Sequence, residues 1–102
     1  MATARTAKDT RESKIKLSFI DVHRARQVLI ERSRDRRKDE SSRANYRSAA
    51  EWMEKCVRDQ PDVFEVELAA PHWILEGIGK ACNADGLGDV GADILNQLQG
   101  AR

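Results

Sequence analysis

Cysteine, proline and aromatic side chains are scarce in this 102-residue chain: two Cys, two Pro, two Trp, two Phe and one Tyr. Cys56 and Cys82 lie far apart, with no C-x-x-C spacing, so the chain is not a disulfide-framed scaffold. His23 and His72 are equally scattered, and structural zinc sites draw their ligands in close pairs, so no metal is expected. No run of about 18 apolar residues occurs, which excludes a membrane-spanning helix within this sequence. The opening stretch MATARTAKDTRESK lacks the apolar segment of a secretory signal, and Asp9 and Glu12 speak against a transit peptide. The expected setting is the cytoplasm, with both thiols reduced.

Charge is plentiful, at 34% of residues, and nearly balanced at a net +1. The balance conceals an asymmetry. Residues 1–48 carry 14 Lys/Arg against 7 Asp/Glu, a net +7; residues 49–102 carry 4 against 10, a net −6. Such polarity points to a polyanionic partner for the basic half, or to attraction between the two halves inside the fold.

Residues 1–13 show no periodicity and read as a flexible basic tail; 14–102 read as one helical domain. Ile15, Leu17 and Phe19 alternate with polar residues, as do Phe64, Val66 and Leu68 with Glu65 and Glu67. Two short strands, 14–19 and 63–68, are therefore able to pair, with Lys14 and Lys16 as cross-strand neighbours of the glutamates. Four helices are expected near 20–38, 42–59, 71–84 and 89–99, giving a mainly α, small four-helix domain. In the first, Val22, Ala25, Val28 and Leu29 form an apolar stripe that stops abruptly. Nothing in ERSRDRRKDESSR after Ile30 is apolar, so this helix either overruns the core or ends early. The second has the cleanest stripe, Tyr46, Ala49, Ala50, Met53, Cys56 and Val57, with Ser41 or Ser42 as N-cap and Pro61 as terminator. Flanking it are the i, i+4 pairs Arg47/Glu51, Glu51/Lys55 and Glu54/Arg58. Pro71 suits the first turn of the third helix, in which Glu76 pairs with Lys80.

Gly86–Gly91 reads GLGDVG and matches the dinucleotide fingerprint G-x-G-x-x-G. That fingerprint needs a preceding strand and a following βα unit. Here KACNAD looks like a helix end, and eleven residues follow. The glycines have local tasks instead: Gly86 takes a left-handed position after a helix, Gly88 loosens the turn, and Gly91 lets two helices approach. Asp89 is the expected cap of the last helix. Gly77-Ile78-Gly79-Lys80 lacks the spacing and the Ser/Thr of a phosphate loop. No nucleophile–base or oxyanion pattern stands out, so neither catalysis nor a cofactor is expected.

What remains is cationic and aromatic. On a helical wheel His23, Arg26, Ile30, Arg34 and Arg37 share one face, followed by Lys38, over ~21 Å at 1.5 Å per residue. A row of this kind binds a nucleic-acid backbone by charge and counterion release. Trp52 and Trp73 sit at the margins of their stripes, where a tryptophan seals the core or presents a protein interface. The strand followed by two helices resembles the ribbon-helix-helix DNA binders in architecture alone. In such a dimer Lys14, Lys16 and Ser18 would read bases, but the first helix is too long and its turn lacks a glycine. Two functions are therefore expected as alternatives. One is a small non-enzymatic nucleic-acid-binding or regulatory protein. The other is a protein-interaction module (inhibitor, adaptor or small subunit), with head-to-tail homo-oligomers also compatible with the two-ended charge.

Overall fold

The structure, a computed structural model, describes residues 9–100. The elements are β1 (Glu12–Ser18), α1 (Phe19–Ser33), α2 (Glu40–Asp59), β2 (Glu65–Pro71), α3 (His72–Ala84) and α4 (Gly88–Gly100). The domain is mainly α, with one antiparallel two-stranded sheet. Residues 1–8 of the expected tail lie outside the described residues. Residues 9–13 are part of the fold: β1 begins at Glu12, and the carbonyls of Asp9 and Arg11 accept from the N–H groups of Trp73 and His72 at 3.0 and 2.7 Å. Those two donors at the start of α3 have no intrahelical acceptor, so the chain ahead of β1 supplies it.

The strands pair in the register that their alternation demands. Ile15 faces Leu68, Leu17 faces Val66, and all four are buried; Lys16 faces Glu67 on the outer side. Lys14 Nζ reaches Glu67 Oε2 at 3.8 Å. β1 thus finds its partner within the chain, with Lys14 paired to that partner's Glu67 and Lys16 opposite it in the register, which removes the ribbon-helix-helix analogy. Both sheet edges are closed by glutamine amides that imitate a neighbouring strand. Gln97 of α4 donates to the Lys16 carbonyl (2.7 Å) and accepts from its N–H (2.8 Å); Gln60 does the same at Glu67 (2.8 and 2.9 Å). Unpaired edges invite further strands.

α1 is capped by Ser18 Oγ, which accepts from the Asp21 N–H. It ends at Ser33, five residues before the expected limit. The apolar stripe is exhausted there, and the Asp35 carboxylate accepts from the Arg37 N–H, holding a turn where a helix would continue. The cap of α2 is Asp39, not Ser41 or Ser42: its carboxylate accepts from both the N–H and the hydroxyl of Ser42. A carboxylate also complements the positive end of the helix better than a hydroxyl does. Of the expected pairs, Glu54–Arg58 and Glu76–Lys80 form. Arg47–Glu51 and Glu51–Lys55 do not, and Lys55 bonds Asp59 at 2.7 Å.

α1 packs antiparallel on α2, and α3 on α4. The core between them and the sheet is built from Ile15, Leu17, Leu29, Met53, Leu68, Leu75 and Ile94, all 2% exposed or less. Among the described residues no helix is long and apolar enough to cross a membrane. α3 ends in a tight turn in which Gly86 has φ +94° and the Leu87 N–H bonds the Cys82 carbonyl at 2.8 Å. That six-residue closure is the left-handed helix stop foreseen for Gly86. Asp89 lies in the first turn of α4 and pairs with Arg24 of α1 at 2.9 Å.

Candidate functional site

The straight cationic row expected from His23 to Arg37 does not exist, because α1 stops at Ser33. His23 is exposed near its start. Arg26 leans onto α2, donating from Nε to the Ala50 carbonyl (3.2 Å) and from the other end of its fork to Glu54 (3.4 Å). Arg37 lies in the turn and holds Asp35 through both its backbone and its guanidinium, which keeps that carboxyl down at about 2. Lys38 is half-buried, and its N–H donates to the Asp35 carbonyl. Arg34 is exposed and forms no ion pair among the described residues.

A different cationic site forms between the helices. Antiparallel packing brings the end of α1 and the turn after it against the start of α2. Arg26, Arg34, Arg36, Arg43 and Arg47 line one cleft of about 500 Å³, floored by Ile30, Ser33 and Ala50, with Glu51 as its one acid. Arg43 donates from Nε to the Ser33 carbonyl at 3.3 Å, which fixes its plane. Arg34, Arg36, Arg43 and Arg47 form no ion pair among the described residues. The sequence reading reached Arg26 and Arg34 and missed the other three. Arg43 and Arg47, one helical turn apart, carried a usable signal: they flank the stripe residues Tyr46 and Ala50, so they border the face that meets α1.

Arg32 has the opposite fate. It is 17% exposed and spans three helices, donating twice to Asp85 (2.9 Å each) and once to the Tyr46 hydroxyl (2.9 Å), with its guanidinium 5.4 Å from that ring's centre. The Asp85 pair raises the Arg32 pKa further and pulls the Asp85 carboxyl below its usual 3.8. Planar two-point pairs are the strong ones. Arg32→Met is expected to cost about 2 kcal/mol, after allowance for partial exposure. Because the folded pKa of Asp85 is depressed, the pair's contribution is complete above pH 4 and fades as the pH falls through the lowered value. Arg32→Met should flatten that part of the acid-stability profile, as followed by thermal melts between neutral and acid pH.

Trp52 and Trp73, placed by the sequence at two stripe margins, line one groove. It is a trough of about 560 Å³ between α2 and α3, floored by Leu29 and Ile78 and shared with Tyr46 and Ile74. Both tryptophans are half-buried and line the trough, and Trp52 also packs on the core.

The thiols stay free and are poor nucleophiles. Burial pushes half-buried Cys56 up and buried Cys82 up to about 11. Among the described residues no three His, Cys, Asp or Glu side chains converge on a metal position. By fold and site this is a small helical domain with an arginine-lined cleft on one face and an aromatic trough on another. Comparison with protein-family models, with curated proteins and with solved structures finds no match.

Proposed function

We propose that the domain is a non-enzymatic nucleic-acid-binding protein of regulatory character, gripping the phosphate backbone in the α1–α2 cleft. One observation carries this reading: four arginines converge there without a carboxylate of their own. Clustered like charges repel, and the cost is recovered when an anion enters. Guanidinium forks match phosphate oxygens in pairs, and the charge is insensitive to pH. The floor of Ile30, Ser33 and Ala50 offers little to discriminate bases, so the reading is of backbone and not of sequence.

The test is fluorescence anisotropy with labelled duplex DNA and single-stranded RNA at several salt concentrations. Four phosphate contacts give a slope of log K against log salt near −3.6 on duplex, or about −2.8 on a single strand. Absent binding, or binding indifferent to salt, overturns the reading.

A second reading has its own observation, the meeting of Trp52 and Trp73 in one trough. A protein-interaction module would use such a trough for an apolar segment of its partner. Trp52→Ala would then lower affinity for a co-purifying protein while far-UV circular dichroism and salt-dependent nucleic-acid binding stay unchanged.

A further inference from the structure

The large hydrophobic side chains that stand exposed among the described residues are Phe19, Ile20, Val63 and Phe64, at 54, 68, 42 and 94%. They are not scattered. The Phe19 N–H donates to the Phe64 carbonyl at 3.1 Å, which ties the start of α1 to the loop before β2 and gathers the four at one end of the molecule. Single exposed apolar residues need no explanation, but a contiguous group marks an interaction surface. Phe64 is the most exposed of the four and lies two residues after Asp62, whose φ is +67°. Asp62 and Glu65 flank it and form no ion pair among the described residues.

The chemistry of this end complements a site already on the molecule. α1 and α2 run antiparallel, so the Phe64 end lies at the start of α1 and the arginine cleft at its finish. From Ile20 to Arg34 the rise is ~21 Å, so one chain cannot fill its own cleft. We infer that a second copy of the chain does so: Phe64 of one molecule enters the Arg34/Arg43 cleft of the next. A phenyl ring stacks on guanidinium planes above Ile30, while Asp62 and Glu65 meet the unpaired arginines. A twofold pairing of Phe64 ends would oppose those two acids to their own copies. The contact is therefore head-to-tail, which yields growing chains or rings instead of a fixed dimer. This inference does not rest on nucleic-acid binding, but it uses the same cleft, so a polyanion would disperse the assembly.

Sedimentation velocity of the full chain, free of nucleic acid and at low salt, tests it. Wild-type protein is expected to sediment faster as its concentration rises and to return to monomer at high salt. Phe64→Asp should weaken association at least tenfold, and so should Arg34→Glu combined with Arg43→Glu. Each of these retains one good end, so their mixture should give a 1:1 heterodimer and nothing larger. A wild type that stays monomeric overturns the inference, as does association that survives Phe64→Asp, which would place the contact elsewhere, for example in the tryptophan trough. A mixture that is not rescued also overturns it, in favour of twofold pairing. Phe64→Asp leaves the arginines of the cleft in place and should leave the salt slope on DNA unchanged, so the two readings fail separately.

Discussion

Reversing Arg34, Arg43 and Arg47 to Glu is expected to lower nucleic-acid affinity on the order of a thousandfold, to below detection at moderate salt. The size follows from the count of free cations. Sequence-independent binding comes almost wholly from phosphate neutralisation, and three of the four arginines in the cleft that lack an ion pair would become anions beside Glu51. Single Arg→Gln changes should each reduce the salt slope by about one, in equal measure on every sequence. Arg37→Gln is the internal control. Its guanidinium is spent on Asp35, so the slope should hardly move even though the Arg37 side chain is 91% exposed. The triple variant should still fold. Arg43 lies in the first turns of α2, where an acid is favourable, while Arg34 caps the end of α1, where an acid is unfavourable, and the two nearly cancel. Anisotropy titrations beside melting curves separate lost charge from lost fold; retained affinity in the triple variant would remove the cleft from consideration.

The difference between Arg37 and Arg43 shows where sequence reading stops. Periodicity found β1, β2 and α2 because each has one buried face, and a buried face leaves a repeating mark. The segment after Ile30 has no buried face, so nothing in its pattern separates helix from turn. Its end is set by one local bond, from the Arg37 N–H to Asp35, and ERSRDRRKDESSR offers several carboxylates and hydroxyls able to make such a bond. A helical wheel extended through that segment aligned Arg37 with Arg26, although the helix was no longer there. The cleft was illegible for another reason. Arg36 and Arg43 become neighbours only when α1 lies antiparallel on α2, and that pairing is a property of the core, not of the charges. Arg32 falls where the apolar stripe of α1 would continue, and nothing local points to its acceptor Asp85, 53 positions away. The tryptophans were the reverse case. Marginal positions on two stripes were enough to place both at an edge, and tertiary packing made the two edges one trough.

The glycines of GLGDVG lead to the largest stability effect. Gly91→Ala should destabilise the domain by about 3 kcal/mol, the upper part of the range for overpacking, and lower the melting temperature by roughly 15 °C. A Cβ at Gly91 would lie 2.7 Å from the Asn83 N and 2.7 Å from the Gly79 O, both backbone atoms of α3. No rotamer change relieves a backbone contact, so α3 and α4 would have to separate, and with them Ile78, Cys82, Ile94 and Leu98 in the core. Gly79→Ala is the graded comparison. Its Cβ would meet the Ile94 and Leu95 side chains at 3.0 Å, and these can give by a few tenths of an ångström, so the loss should be smaller. Gly77→Ala meets nothing within 4 Å inside the same helix, where alanine is favoured over glycine by about 0.5–1 kcal/mol, so it should stabilise. The order expected in denaturant melts is therefore Gly77→Ala above wild type, then Gly79→Ala, then Gly91→Ala. Equal stability of Gly91→Ala and wild type would mean that the two helices do not cross at this glycine. The dinucleotide fingerprint would then have lost the packing explanation given for its last residue.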